Sequence, residues 1–170
     1  MRIMIMQIEV SGTTSQKKIA QIVSAAEFFA RLLLDPRMSK NIVLDININK
    51  SFPNEGSCCS EEDKKNPRFF TIELRGAKGD DDIIKTLGHE MVHLKQYAKN
   101  ELGTELVVAG KGGQKMTQHW HGKVYKFKSK EDHYYDSPWE IAAYGMEVGL
   151  YYKWVSRHDP KMPWYVGADA

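Results

Sequence analysis

The chain of 170 residues contains only two cysteines, Cys58 and Cys59, and the two are adjacent. Adjacent cysteines rarely form a disulfide with each other, and no CxxC spacing occurs in the sequence. A disulfide framework and a four-cysteine zinc site are therefore both excluded. We expect two free thiols in a polar loop that covers residues 53–67.

Long apolar runs and a strong excess of charge are also missing. No apolar run approaches the roughly 20 residues that a membrane-spanning helix needs. The first ten residues are interrupted by Gln7 and Glu9 and lead to no small-residue cleavage site, so we interpret them as a strand and not as a signal peptide. The net charge of +2 indicates neither a nucleic-acid nor a membrane partner. We expect a cytoplasmic protein.

The composition, 42% hydrophobic and 27% charged, is typical of a globular protein, and the length suits a single domain over residues 1–170. Apolar periodicity and turn residues predict helices and strands in an α+β order, with a small sheet packed on a central helix and a second long helix near the C-terminus. These segments are a helix at 15–34, strands at 41–49 and 68–75, a helix at 81–99, extended segments at 104–110 and 118–128, and a helix at 137–155.

The segment TLGHEMVHLKQY, residues 86–97, carries an HExxH pattern inside the predicted central helix. On a helical wheel His93 falls about 40° from His89, and Glu90 falls about 100° from it. Two imidazoles one turn apart can reach the same zinc ion, while the glutamate stands to the side and can act on metal-bound water. The pattern therefore predicts a zinc site with His89 and His93 as ligands and Glu90 as a catalytic base.

A catalytic zinc usually takes a third ligand from the protein. We favour Glu140, because it stands in the first turn of an otherwise apolar helix, where a carboxylate without a partner is costly to bury. Glu147 lies two turns further along the same helix and is the alternative there. The acidic and histidine residues considered after the motif are His119, His121, His133, Asp136, Glu140, Glu147 and His158.

Three segments together, GHEMVHLKQY, WHGKVY and SPWEIAAY, resemble the zincin metallopeptidases, above all the SprT-like and phage-encoded members of that class. The resemblance covers roughly residues 80–155 and implies a single zincin-like domain with a peptidase-type zinc site. In the gluzincin branch a glutamate on a later helix completes the site, and Glu140 matches that position. Where thermolysin-like gluzincins carry an acidic residue four positions later, this chain has Tyr144.

These patterns predict a zinc-dependent hydrolase that cleaves peptide bonds in a protein or peptide substrate. Glu90 is expected to take a proton from the zinc-bound water and return it to the leaving amine. The oxyanion needs a further donor, for which we single out Tyr144; His133, Tyr134 and Tyr135 are alternatives. The competing interpretation is a non-catalytic zinc-bearing interaction domain, in which Glu90 would have no chemical role.

Residues 111–130 contain lysines and aromatic residues but no acidic residue. Basic groups interleaved with aromatic rings are typical of proteins that bind single-stranded nucleic acid, and some SprT-like proteases act on proteins attached to DNA. An edge strand protected by lysines explains the same pattern, and we prefer that explanation. A weak nucleic-acid contact through Lys111–Lys130 remains the alternative. The residues concerned are Lys111, Lys115, Trp120, Lys123, Tyr125, Lys126, Phe127, Lys128 and Lys130.

Overall fold

The structure, a computed structural model, describes residues 6–12, 14–109, 113–127, 134–163 and 165–167. The strands of this range form two separate sheets, and the helices stand between or after groups of strands in the chain. In chain order the elements are β1 (Gln7–Gly12), α1 (Gln16–Leu33), α2 (Pro36–Ser39), β2 (Val43–Asn49), β3 (Gly56–Ser60), β4 (Phe69–Arg75), α3 (Asp80–Ala98), β5 (Leu102–Ala109), β6 (Gly113–Trp120), β7 (Lys123–Val124) and α4 (Pro138–His158).

The first sheet has four strands in the order β1-β2-β4-β3. Strands β1, β2 and β4 are parallel, and β3 pairs antiparallel with β4 at the edge of the sheet. The α+β class, the small sheet and the long C-terminal helix predicted from the sequence are confirmed. The predicted strand at the N-terminus is confirmed as β1 over its described residues.

One face of this sheet forms the core, because apolar residues alternate along β2 and β4. The side chains of Leu44, Ile46 and Ile48 on β2 are buried, as the alternation in 41–49 predicted. Phe70 and Leu74 on β4 are buried on the same face. Helices α1 and α3 pack against this sheet, and α4 packs mainly on α3.

Helix α3 begins one residue earlier than the prediction, at Asp80. Gly79 occupies the N-cap position, and no side chain caps the helix. Asp80, Asp81 and Asp82 lie in the first turn, where negative charge favours the positive end of the helix dipole. Helix α1, by contrast, is capped by Ser15, whose side chain accepts a hydrogen bond from the Lys18 amide.

The interpretation of residues 53–67 as a loop is wrong in part, because residues 56–60 form strand β3. The segment GSCCS is short and polar and carries no apolar alternation, so its pairing with β4 comes from the tertiary structure. Both thiols are free, as expected. Cys58 is half-buried beside the core, and Cys59 is exposed.

The second sheet is an antiparallel hairpin of β5 and β6 with the short strand β7 added to it. Of the predicted extended segments, 104–110 overlaps β5, while 118–128 covers only the end of β6 and all of β7. The turn between β6 and β7 uses His121 and Gly122, both at positive φ. This hairpin follows α3 directly and leads back towards the start of α4.

Helix α4 is apolar along its length but is buried on one face only. Trp139, Ala143 and Leu150 are buried, whereas Ile141 is 60% and Val148 is 50% exposed. The buried face packs on α3, so the orientation of α4 decides which of its acidic residues faces that helix. Within the described residues, no helix combines the length and the hydropathy that crossing a bilayer requires.

We predict that Gly12→Ala strongly destabilises the fold. Gly12 ends β1 at φ +111°, and a Cβ atom built there would lie 2.1 Å from the backbone oxygen of Ile48 on β2. Gly122→Ala is the matched control, because Gly122 also has positive φ but has no heavy atom within 4 Å of its Cβ position. The control should cost about 1–2 kcal/mol of unfolding free energy.

Gly12→Ala should cost about 1–3 kcal/mol more than the control, because the overlap is with backbone and only movement of β1 or β2 can relieve it. Denaturant unfolding of the two variants checks this. Equal losses of stability would mean that β1 does not pair with β2 as closely as the structure has it.

Candidate metal centre

Helix α3 brings His89 and His93 together one turn apart on a buried face. Their side chains are only about one-tenth exposed, and Glu90 between them is also buried. The two Nε2 atoms are 3.1 Å apart. The helix can hold both rings in this arrangement because the i, i+4 spacing stacks them on one side while its apolar stripe packs against the sheet.

Glu140 faces this pair from the first turn of α4. One of its carboxylate oxygens, Oε2, lies 3.2 Å from Nε2 of His89, and the other, Oε1, lies 3.2 Å from Nε2 of His93. The residue is 2% exposed. Within the described residues, His89, His93 and Glu140 form the one group of histidine, cysteine and acidic residues whose donor atoms converge as metal ligands would.

The outer nitrogens of the two rings are occupied by different partners. Nδ1 of His89 lies 3.2 Å from a carboxylate oxygen of Glu147. Nδ1 of His93 lies 2.9 Å from the side-chain oxygen of Gln96. Since a carboxylate only accepts hydrogen bonds, the Glu147 contact requires the proton of a neutral His89 on Nδ1 and leaves the Nε2 lone pair facing Glu140. Glu147 thus contacts the side of His89 that is turned away from the other two ligands.

The donor set fits a divalent metal ion. Ligands arranged tetrahedrally around zinc at about 2.0–2.1 Å lie roughly 3.3 Å from one another. The two Nε2 atoms are 3.1 Å apart, and each lies 3.2 Å from a different oxygen of the Glu140 carboxylate; with one donor atom taken from each residue, all three lie within 4.8 Å of one another. Oε1 of Glu140 is buried and makes no well-formed hydrogen bond with any described residue. A cation between the three residues would satisfy that oxygen and both ring lone pairs.

The charges of the site are strongly coupled. Burial by itself raises the pKa of Glu140, but the adjacent His89, His93 and Tyr134 outweigh it and hold that pKa well below its usual range. Burial lowers the pKa of His93, yet the Glu140 carboxylate, which can accept a hydrogen bond only when Nε2 is protonated, and the charge of Glu90 leave it raised. A proton and a metal ion therefore compete for the same nitrogen of His93.

Glu90 lies beside this group and makes no contact that would use it as a ligand. Burial raises the pKa of its carboxyl to about 7, although the charges of His93 and His89 oppose that shift. Its side chain runs along β3, where a Cβ atom at Gly56 would lie 2.7 Å from a Glu90 carboxylate oxygen. A glycine at position 56 therefore leaves the space that Glu90 occupies, and sequence reasoning missed this residue because it read the segment as a loop.

Two tyrosines approach the ligands from the open side of the site. Tyr134, in a 3₁₀ turn just before α4, lies close enough for its hydroxyl to interact with the carboxylate of Glu140. The ring of Tyr144 lies edge-on to the ring of His89, with 4.4 Å between centroids. Tyr135 contacts Tyr144 and lines the same cleft. His133, the remaining candidate from the sequence, lies outside the described residues.

The other histidines and acidic residues considered as ligands have different surroundings. Nε2 of His119 lies 3.0 Å from a carboxylate oxygen of Glu105 across the hairpin. His158 stacks on Trp154 at the far end of α4. His121 occupies the turn after β6, and none of these residues joins the cluster around His89.

Aromatic residues from the lysine-rich segment 111–130 pack on helix α4. The rings of Trp120, Tyr125 and Phe127 all contact Trp139, at centroid distances of 5.0–6.3 Å. These aromatic residues thus help to anchor the hairpin on the first turn of α4, beside Glu140. Lys111, Lys128 and Lys130 lie outside the described residues, and the nucleic-acid contact stays a prediction.

The sequence predicted the three residues that the structure brings together, His89, His93 and Glu140. It did not predict the residues that contact the Nδ1 atoms of the two histidines. Glu147 was considered only as a rival ligand, and Gln96 was not considered at all. Gln96 carried a usable signal, because a glutamine three residues after His93 lies on the same side of the helix and can reach its ring. No comparable signal identified Gly56.

The chain was compared with protein families, with curated proteins and with solved structures. No family model matches the chain, and neither the curated proteins nor the solved structures yield a match.

Proposed function

We propose that this chain is a zinc-dependent peptidase that hydrolyses peptide bonds with Glu90 as general base. The proposal rests on one observation: His89, His93 and Glu140 converge in a buried site, with a fourth carboxylate, Glu90, held beside them and outside the ligand set. A purely structural metal site has no need of that fourth group. Burying it costs free energy that a catalytic role explains.

Zinc is the metal that the donor set favours. Two imidazole nitrogens and one carboxylate form a ligand set used by catalytic zinc, which keeps a further position open for water. A site for calcium or magnesium would be built from oxygen ligands alone. Held by this set, zinc would supply a water with a pKa lowered to about 7 and would polarise the substrate carbonyl.

Glu90 then has a defined task. Its carboxylate is held beside the three ligands but outside the ligand set, where it can accept a proton from such a water and pass it on to the leaving amine. The buried surroundings that raise the pKa of Glu90 also strengthen the electrostatic interactions of the reaction.

The substrate would lie in the cleft that opens over the site, which has a volume of about 740 Å³. Its walls include residues 53–58, the ligands, and the tyrosines before and within α4. Strand β3 is at the edge of its sheet, so a peptide in extended form can add to it as a further strand through backbone hydrogen bonds. We therefore propose unfolded or extended polypeptide as the substrate class.

The first prediction of this proposal concerns metal content. The purified protein should contain about one zinc per chain, measured by elemental analysis, and replacing both His89 and His93 by alanine should remove it. Glu140→Ala should weaken zinc binding by more than the roughly 10–100-fold expected for Glu147→Ala, which removes only an outer partner of His89. Chelator competition measures both affinities, and the reverse order would make Glu147 the ligand.

The second prediction separates an enzyme from an interaction domain. Glu90→Gln should fold and keep its zinc, since a neutral amide suits a buried position where even the carboxyl is readily protonated. It should lose about 10²–10⁴-fold in peptide cleavage, because an amide cannot accept the proton of water. Glu105→Gln, which carries the same change on the exposed hairpin, is the control and should cleave normally. Full activity in Glu90→Gln would disprove the mechanism.

The third prediction concerns the oxyanion donor. The hydroxyl of Tyr134 already contacts Glu140, which makes it a stronger candidate than Tyr144. Tyr134→Phe should keep zinc and lower kcat by about 10²-fold, the typical effect of removing one such donor. Tyr144→Phe retains the ring beside His89 and should have the smaller effect. The opposite order of kcat values would return the role to Tyr144.

A further inference from the structure

Gln96 is a buried polar residue on α3 that the proposed mechanism does not use. It is 1% exposed, and it lies one turn beyond His93, near the C-terminal end of the helix. Both ends of its side-chain amide make hydrogen bonds. The nitrogen donates to the backbone oxygen of Trp139 at 3.0 Å, and the oxygen lies 2.9 Å from Nδ1 of His93.

The Trp139 contact decides how the amide is oriented. A backbone carbonyl can only accept a hydrogen bond, so the NH₂ group of Gln96 must face Trp139 and its oxygen must face His93. An amide oxygen can only accept as well. Nδ1 of His93 must therefore carry a proton, and in the neutral ring the lone pair is then on Nε2, which faces His89 and Glu140.

The same contact links two ligands on different helices. Trp139 directly precedes Glu140, so the carbonyl that orients Gln96 belongs to the first turn of α4. Nε2 of His93 and Oε1 of Glu140 are 3.2 Å apart, and the contact between Gln96 and Trp139 lies on the other side of the His93 ring. Gln96 thus ties His93 to the backbone that carries Glu140.

The partner of the other histidine is chemically different. His89 is oriented by a carboxylate, that of Glu147, which carries a negative charge. The amide of Gln96 has no charge, so it selects a tautomer of His93 without adding a further negative charge to a site that already contains Glu140, Glu90 and Glu147.

We propose that Gln96 is a positioning residue, which relays the backbone acceptor of Trp139 to His93 and so holds the Nε2 lone pair of His93 towards the metal. The inference deepens the proposed function, on which it rests in taking His93 as a metal ligand. It does not require that the protein cleave peptides.

The test compares Gln96→Leu with Gln96→Glu. Leucine removes the acceptor at His93, so zinc affinity should fall by about 10–100-fold, as is typical when an outer partner of a ligand is lost. A glutamate carboxylate cannot donate to Trp139, but it keeps an acceptor at His93. Because that acceptor is kept, the zinc affinity of Gln96→Glu should stay within a few-fold of the wild type. Gln21→Leu, the same substitution on α1 at a residue that does not line the cleft, should bind zinc normally.

Affinities are measured by chelator competition on protein shown to be folded by circular dichroism. Wild-type affinity in Gln96→Leu would overturn the proposal. So would equal weakening in both Gln96 variants, because the loss they share is the hydrogen bond to Trp139, and the acceptor at His93 would then have no effect of its own.

A second measurement does not depend on the variants. Nitrogen NMR of the metal-free wild type, at a pH above the titration range of the imidazoles, should show His93 with its proton on Nδ1. A proton on Nε2 would overturn the inference even if zinc binds. A wild type that binds no zinc would instead disprove the proposed function, while the NMR result would still report on Gln96.

Discussion

The contact between Glu140 and the two histidines of α3 is the interaction on which the rest of this structure depends. It joins the first turn of α4 to the middle of α3 and buries a carboxylate almost completely. Such a group is costly to bury unless it has compensating partners, so α4 is stable in this position only if the histidines, or a cation they share with Glu140, face it. Packing and chemistry therefore require the same arrangement of the two helices.

The three candidate ligands lie on helices, and each side chain contacts a further residue that orients it. Glu147 and Gln96 orient the two rings, and Tyr134 contacts the carboxylate of Glu140. Support of this kind reduces the reorganisation that metal binding would need, because each donor atom already points inward. Three candidate ligands below an open cleft are the arrangement from which we propose a catalytic and not a closed structural site.

Much of the fold could be predicted from the sequence, because apolar periodicity is a local signal. The alternation in β2 and the helical period of α1 and α3 identified these elements to within a few residues. Strand β3 could not be predicted, since its five residues gain strand geometry only by pairing with β4. The exposed face of α4 was also unexpected, because an apolar helix does not reveal which of its sides will be covered.

The sequence by itself determined that His89, Glu90 and His93 share one helix with the two histidines on one side, because the helical repeat sets that geometry locally. It also limited the third ligand to a few acidic residues and histidines. Only the tertiary structure decided between Glu140 and Glu147, since both lie on α4 and their roles depend on how that helix packs on α3. The pairing of Gln96 with Trp139, 43 positions apart, was decided in the same way. Contacts between distant segments form only when the whole chain has folded.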